Sequence, residues 1–376
     1  MIKKLLTLVL LVATCNCRTF AVEGTEVNQS AKFSHTRSET GFIKGYTWGY
    51  PCGRGAYQGD GPVDSMKKLA SIGANYICIA FGAEMNSPND PQIFWAEPDA
   101  NIVTDAEIRH AIELARKNNL KVILKPMVNI RDGTWRAEIN FKTADGKTDT
   151  QTWDKWWANY GRFLLHYAKI AQETKCELFC LGCEMSSTER FVEQWRGLIA
   201  EVRKVYSGPI TYNANHDNES KVKWWDAVDV IGMSGYYSVG IDPPPRDPNA
   251  AKPKPDTSVE AMKKRWQPVK QKLKYVSRQF DKPVVFLEIG VCSAKDFAAA
   301  PWTHPQKDAT YDGDEQARFY QAVMETFWDE PWFFGFVWWD WPVNLYTTEE
   351  AKTDTGFCIY GKPTEQIVRQ WYAKPR

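Results

Sequence analysis

Short apolar runs alternate with longer amphipathic stretches along this chain, and the alternation persists from about residue 42 to the C-terminus. The runs at 42–48, 76–81, 121–127, 178–183, 210–214, 228–234, 284–288 and 333–339 are rich in β-branched and aromatic residues and have the length of strands. Between them, apolar positions recur at helical spacing over 63–72, 105–118, 154–173, 189–206, 220–227, 259–280 and 313–328, and a last helix is predicted over 364–372. The helix at 105 opens on Thr104 with Glu107 three residues further on, the pattern of a capping box. Near-continuous apolar strands, each followed by a helix, imply a parallel sheet covered on both faces. Eight such units in succession predict the α/β class and, within it, a (β/α)8 TIM barrel forming a single domain over 41–376. No G-x-G-x-x-G follows the first strand and there is no P-loop, which disfavours an open nucleotide-binding sheet. The proline-rich stretch 242–255 falls between the sixth strand and its helix. It reads as a long loop on the barrel's active face, not as a domain linker.

Charge narrows the partners. Lys+Arg 47 against Asp+Glu 46 leaves a net charge of +1, so no global field draws the chain to nucleic acid or to an anionic membrane. The N-terminus, Met1-Ile-Lys-Lys followed by an apolar stretch over 5–13, reads as a secretory signal too short to span a bilayer. Cleavage after Ala21 would release a soluble protein. Alternatively, Val12-Ala13-Thr14-Cys15 resembles a lipobox with Cys15 as the lipid-bearing residue. The expectation is a signal over 1–21 and a polar leader over 22–40. The mature protein is then secreted, periplasmic or an outer-surface lipoprotein of a bacterium, touches membrane only through such an anchor, and is a monomer. The seven cysteines beyond the leader are odd in number and irregular in spacing, against a disulfide framework. Cys180-Leu-Gly-Cys183 spells C-x-x-C but has no second pair and no suitably spaced histidine, so buried thiols are the better reading. No metal or other cofactor is expected.

Two segments carry the chemistry. Cys180-Leu-Gly-Cys183-Glu184 and Val284-Val-Phe-Leu-Glu288 are apolar runs that each end on a glutamate. A carboxylate at the mouth of an apolar strand is costly unless it is paired or used. These two glutamates end predicted strands four and seven, and a barrel carries its active site at the carboxyl ends of its strands. Both carboxylates then project into one bowl, as glycosidic hydrolysis requires of its acid and its nucleophile. A salt-bridged or helix-capping glutamate at each strand end is the plainer alternative.

From these residues outward the sequence resembles the clan A glycoside hydrolases, and within them family 113, the β-1,4-mannanase group. The resemblance runs from about Gly41 to Tyr372. It is most specific at Leu124-Lys-Pro-Met-Val-Asn-Ile-Arg-Asp-Gly-Thr-Trp-Arg136, similar to that family's K-P-H-V-D-x-R-D-G-x-W-R loop, and extends to Thr211-Tyr-Asn-Ala-Asn215, Glu288-Ile-Gly290 and the tryptophans of strand eight. It implies Glu184 as acid/base and Glu288 as nucleophile of a retaining, endo-acting hydrolase of β-1,4-mannosidic bonds in mannan or glucomannan. Three departures stand out. Cys183 occupies the place where many clan A enzymes carry the asparagine that binds the sugar 2-hydroxyl, leaving Asn213 or Asn215 to serve it. Met127 and Asn129 replace the expected His and Asp. Strand two lacks the arginine often found beside the nucleophile, a place Lys125 is able to fill.

The remaining expectations concern the substrate cleft. Trp338, and after it Trp339, is expected to floor the subsite of the reacting sugar, and Trp48 at the end of strand one to line the cleft. Tyr236 is favoured over Tyr237 as a hydrogen-bond partner of the nucleophile. Arg136 and Arg131 are placed to clamp hydroxyls, His216 to touch substrate, and Glu84 to add a third acidic group. The partner is thus an oligo- or polysaccharide. Two alternatives remain: the same fold acting on another β-linked glycan, and a surface lipoprotein that binds glycans without cutting them.

Overall fold

The computed structural model describes residues 41–96, 102–244 and 251–376; the signal and leader expected over 1–40 lie outside the described residues. Eight strands close a parallel barrel in sequence order: β1 (Ile43–Trp48), β2 (Tyr76–Met85), β3 (Lys121–Ile130), β4 (Leu178–Cys183), β5 (Ile210–Ala214), β6 (Val230–Ser234), β7 (Val284–Ile289) and β8 (Phe333–Trp341). Among the described residues seven α-helices surround it: α1 (Asp60–Ser71), α2 (Asp105–Lys117), α3 (Thr150–Glu173), α4 (Val192–Val205), α5 (Val259–Phe280), α6 (Gly313–Phe327) and α7 (Pro363–Tyr372). This is a single-domain (β/α)8 TIM barrel. The capping box at α2 is present, with Thr104 accepting from the Glu107 backbone and Glu107 reaching back to Thr104.

The helix predicted over 220–227 is absent, and only a 3-10 turn, Trp225–Ala227, stands there. Trp224 and Trp225 are both fully buried, and each indole N–H donates to a backbone carbonyl outside any helix: Trp224 to Glu189 and Trp225 to Glu219.

The interior divides into two layers. Inside the barrel lie small and branched side chains, among them Ile43, Cys78, Ala80, Ile123, Leu178, Cys180, Val230, Val285, Leu287 and Val337. Between barrel and helices lies an aromatic layer that absorbs most of the tryptophan, with Trp156 stacked on Tyr160 and Trp195 on Trp224. Both strands that end on glutamate are irregular. Cys180 to Cys183 of β4 spans the same register as Thr211 to Asn213 of β5, and β7 takes two residues, Phe286 to Glu288, where β6 takes one, Met233 to Ser234. An extra residue in a strand re-aims the side chains beyond it. Gly182 fits this crowding, since a Cβ there would lie 2.5 Å from the Tyr160 hydroxyl, which donates to Leu181 O.

Candidate active site

The two irregularities turn Cys183 inward and deliver Glu184 and Glu288 to the wall of one cavity of about 640 Å³ at the carboxyl end of the barrel. Glu184 follows β4 with φ 50, in the left-handed region that a non-glycine residue adopts at a cost, and such strain concentrates at functional positions. Its backbone N–H donates to Asn213 O at 2.7 Å. Its Oε1 accepts from the Ser234 hydroxyl at 2.6 Å. Its Oε2 accepts from the Trp135 indole at 3.3 Å and lies 3.9 Å from the Arg136 guanidinium.

Glu288 is held from below. Lys125 Nζ, on a side chain with no exposure, donates to its Oε1 at 2.5 Å, and the Cys183 thiol donates to the same oxygen at 3.3 Å. Burial, and after it the negative Glu288, push the Cys183 thiol far up, so this sulfur keeps its proton and serves as a donor. Burial pulls the Lys125 ammonium down, but the groups facing it, Cys183 and then Glu288, overcome that and hold it well above its ordinary value. Glu184 moves the other way from an ordinary carboxylate: burial, then the charge of Glu288, raise its pKa, and the Ser234 hydrogen bond and Arg136 only partly oppose this. One carboxylate thus carries a buried cation as its partner while its neighbour is pressed toward the protonated form. A general acid needs a group that can hold its proton, and a nucleophile one whose charge has a partner, and the two surroundings differ in that sense.

The other expected site residues divide between wall, floor and exterior. Arg136, Asn215 and Tyr236 line the cavity, together with His216 and Met127. Asn129 lines an adjoining recess of about 270 Å³ that shares Tyr50 with the main cavity, and its Oδ1 accepts from Tyr50 and Arg136, both at 2.7 Å. Glu84 lines the same recess and pairs with Arg131. Lys125 and Asn213 are fully buried beneath the cavity and bond to one another and to their neighbours, so neither lies on the wall that substrate meets. Tyr236 sits on the wall, but among the described residues the hydrogen bonds to Glu288 come from Lys125 and Cys183. Tyr237 packs on Trp266.

Trp48 and Trp338, expected in the cleft, are instead fully buried away from the cavity wall. Trp48 points out of the barrel, stacks on Tyr57 and donates to Ser65 of α1 at 3.1 Å. Trp338 is fully buried and stacks on Tyr320 of α6, with ring centroids 3.8 Å apart. Its neighbour Trp339 takes the cavity position, with Tyr50 edge-on against it at 5.3 Å. The parity was hidden because β8 is apolar on both faces, so no polar alternation marks the inward side.

Sequence reasoning missed Ser234, Tyr50, Trp302, His304 and Phe357, and named Trp135 only as part of a motif. Trp302 is 48% exposed at the cavity rim and stacks on His216 at an interplanar angle of 21°. Ser234 ends β6 and the others sit in loops whose path is set by the fold, and only Trp135 carried a local signal.

A closed parallel barrel with two electrostatically distinct glutamates beyond β4 and on β7, under an aromatic-lined cleft, is the frame of a glycoside hydrolase. The sequence profile of Glycoside Hydrolase Family 113 matches residues 46–362, and the chain belongs to that family. Among solved structures it is similar to the GH113 β-mannanase AaManA from Alicyclobacillus acidocaldarius in complex with ManMIm. That match has 39% identity and a TM-score of 0.77, covering 89% of this chain and 97% of that one. It is also similar to a GH113 β-1,4-mannanase solved as a complex, at 34% identity and a TM-score of 0.77, covering 89% of this chain and 99% of that one. Among curated proteins compared by sequence, none matches.

Proposed function

We propose that this glycoside hydrolase is a retaining β-1,4-mannanase that cuts within mannan or glucomannan chains, with Glu288 as nucleophile and Glu184 as acid/base. The observation that carries the mechanism is the split between the two carboxylates: Glu288 bonded to the buried Lys125 ammonium, Glu184 raised by burial and by Glu288 itself. In the first step Glu288 attacks the anomeric carbon, the glycosidic C–O bond breaks, and the leaving oxygen takes the Glu184 proton. In the second, water attacks the glycosyl ester, its proton passes to Glu184, and Glu288 leaves. Support for mannan comes from the solved relatives, which carry the names β-mannanase and β-1,4-mannanase. Support for internal cutting comes from Trp135 and Trp302, both exposed at the cavity's edge, and from the second recess that shares Tyr50.

The test is hydrolysis of linear β-1,4-mannan and mannohexaose by wild type, Glu184→Ala and Glu288→Ala. Wild type is expected to release short oligosaccharides, with both variants slower by at least about a thousandfold. Cleavage of another β-glycan but not of mannan would remove the substrate and leave the mechanism. Variants close to wild type in rate would remove the catalytic pair.

A further inference from the structure

A chain of hydrogen bonds joins the two carboxylates beneath the cavity. Lys125 Nζ donates to Glu288 Oε1 at 2.5 Å and to Asn213 Oδ1 at 3.2 Å. Asn213 Nδ2 donates to Ser234 Oγ at 2.7 Å, and Ser234 Oγ donates to Glu184 Oε1 at 2.6 Å. Its members come from β7, β3, β5, β6 and the residue after β4, and the three in the middle have no exposure.

The direction of this chain is fixed at one end. An ammonium only donates, so the Asn213 atom facing Lys125 is the amide oxygen and the amide NH2 is turned to Ser234. Ser234 Oγ therefore accepts from Asn213. Its own hydrogen has Glu184 Oε1 as acceptor, and a buried hydroxyl hydrogen left unbonded is costly. Every donor beyond Lys125 points toward Glu184.

We propose that Ser234, aligned by Lys125 through Asn213, is a positioning residue that reserves Glu184 Oε1 as an acceptor and so assigns the transferable proton to Oε2. This rests on the acid/base role of Glu184 proposed above. Oε2 is the oxygen beside Trp135 and Arg136, both on the cavity wall, where a glycosidic oxygen would arrive. The proton leaves Oε2 for the departing oxygen as the glycosidic bond breaks. It returns to Oε2 from water as the glycosyl ester opens, and Oε1 keeps the same partner throughout.

The consequence is read in the pH profile. A hydrogen bond donated to the ionised carboxylate favours that form, so removing it raises the pKa of Glu184. The basic limb of kcat/KM reports loss of the protonated acid and so moves to higher pH. The other groups facing Glu184 are Glu288 on β7, Lys125 on β3, Arg136 beyond β3, Cys183 on β4, Tyr236 beyond β6 and Glu189; Ser234→Ala leaves all of them in place.

The experiment measures kcat/KM against pH on mannohexaose for wild type, Ser234→Ala, Ser234→Cys and Ser234→Thr, with thermal unfolding of each. Ser234→Ala is expected to move the basic limb up by about one pH unit, the scale of one hydrogen bond to a charged group. Ser234→Cys, a weaker donor of similar shape, moves it less in the same direction, and Ser234→Thr keeps the wild-type limb. A folded Ser234→Ala or Ser234→Cys with an unmoved limb overturns the assignment. Glu184→Gln, followed on an aryl mannobioside whose leaving group needs no protonation, separates the two readings. Persistence of the basic limb in that variant overturns the acid role itself, whereas its loss alongside an unmoved limb in Ser234→Ala overturns only the role of Ser234.

Discussion

Adjacent tryptophans on β8 have opposite tasks, and substitution should separate them. Trp339 lines the cavity, so Trp339→Ala is expected to raise KM for mannohexaose by at least about tenfold, the loss of roughly 1.4 kcal/mol of binding, with unfolding little changed. Trp338 fills the layer between barrel and helices against Tyr320, so Trp338→Ala should lower the unfolding free energy by about 3–5 kcal/mol while the folded fraction keeps its KM. Denaturant unfolding and steady-state kinetics on both variants check this, and an exchange of the two phenotypes would reverse the assignment. Lys125 is where stability and chemistry coincide. Lys125→Met leaves Glu288 as a buried unpaired charge, expected to cost about 3–5 kcal/mol in unfolding and to reduce kcat together. The sequence displayed both glutamates because each closes an apolar run. It concealed Ser234, which looks like any small residue at a strand end until the barrel brings β6 beside Glu184.

The strand ends are built by neighbouring elements acting together. Behind Glu184, the Tyr212 hydroxyl on β5 accepts from the Met185 backbone N–H and donates to Glu189 Oε1, both at 3.0 Å, while Asn218 donates to Glu189 Oε2 at 3.1 Å. Burial raises Glu189 to about 7, with Tyr212 and Asn218 pulling the other way. A carboxyl raised in the folded state contributes its full stability below the unfolded value near 4.5 and loses it as pH rises through about 7. The stability of Glu189→Gln relative to wild type should therefore improve between pH 5 and pH 8, by up to about 3 kcal/mol. Denaturant unfolding at the two pH values measures the difference, and a gap that does not change with pH would refute the linkage. Period and composition were enough to locate all eight strands and seven of the eight helices, because each strand is a compact apolar run between amphipathic stretches. The irregularities at Cys183 and Glu288 were not legible, since they depend on register against β5 and β6, which no local pattern records. The segment 220–227 had helical spacing, but there the indoles of Trp224 and Trp225 bond to the loop carbonyls of Glu189 and Glu219 and only a 3-10 turn forms.

Taken whole, the molecule assigns its aromatic residues to two jobs. Most of the tryptophan lies between barrel and helices, while Trp135, Trp302 and Trp339 are left at the cleft. The barrel below supplies a floor, with Lys125 and Asn213 bonded beneath the two cavity carboxylates. Among the described residues no helix is long and apolar enough to cross a membrane. The stereochemistry of the product reports most directly on the proposed double displacement at Glu288 assisted by Glu184. Proton NMR during the first minutes of wild-type mannopentaose hydrolysis should show new reducing ends appearing as the β-anomer and only later relaxing toward the equilibrium mixture. Initial release of the α-anomer would mean single displacement and contradict Glu288 as nucleophile; no release at all would contradict mannan as substrate.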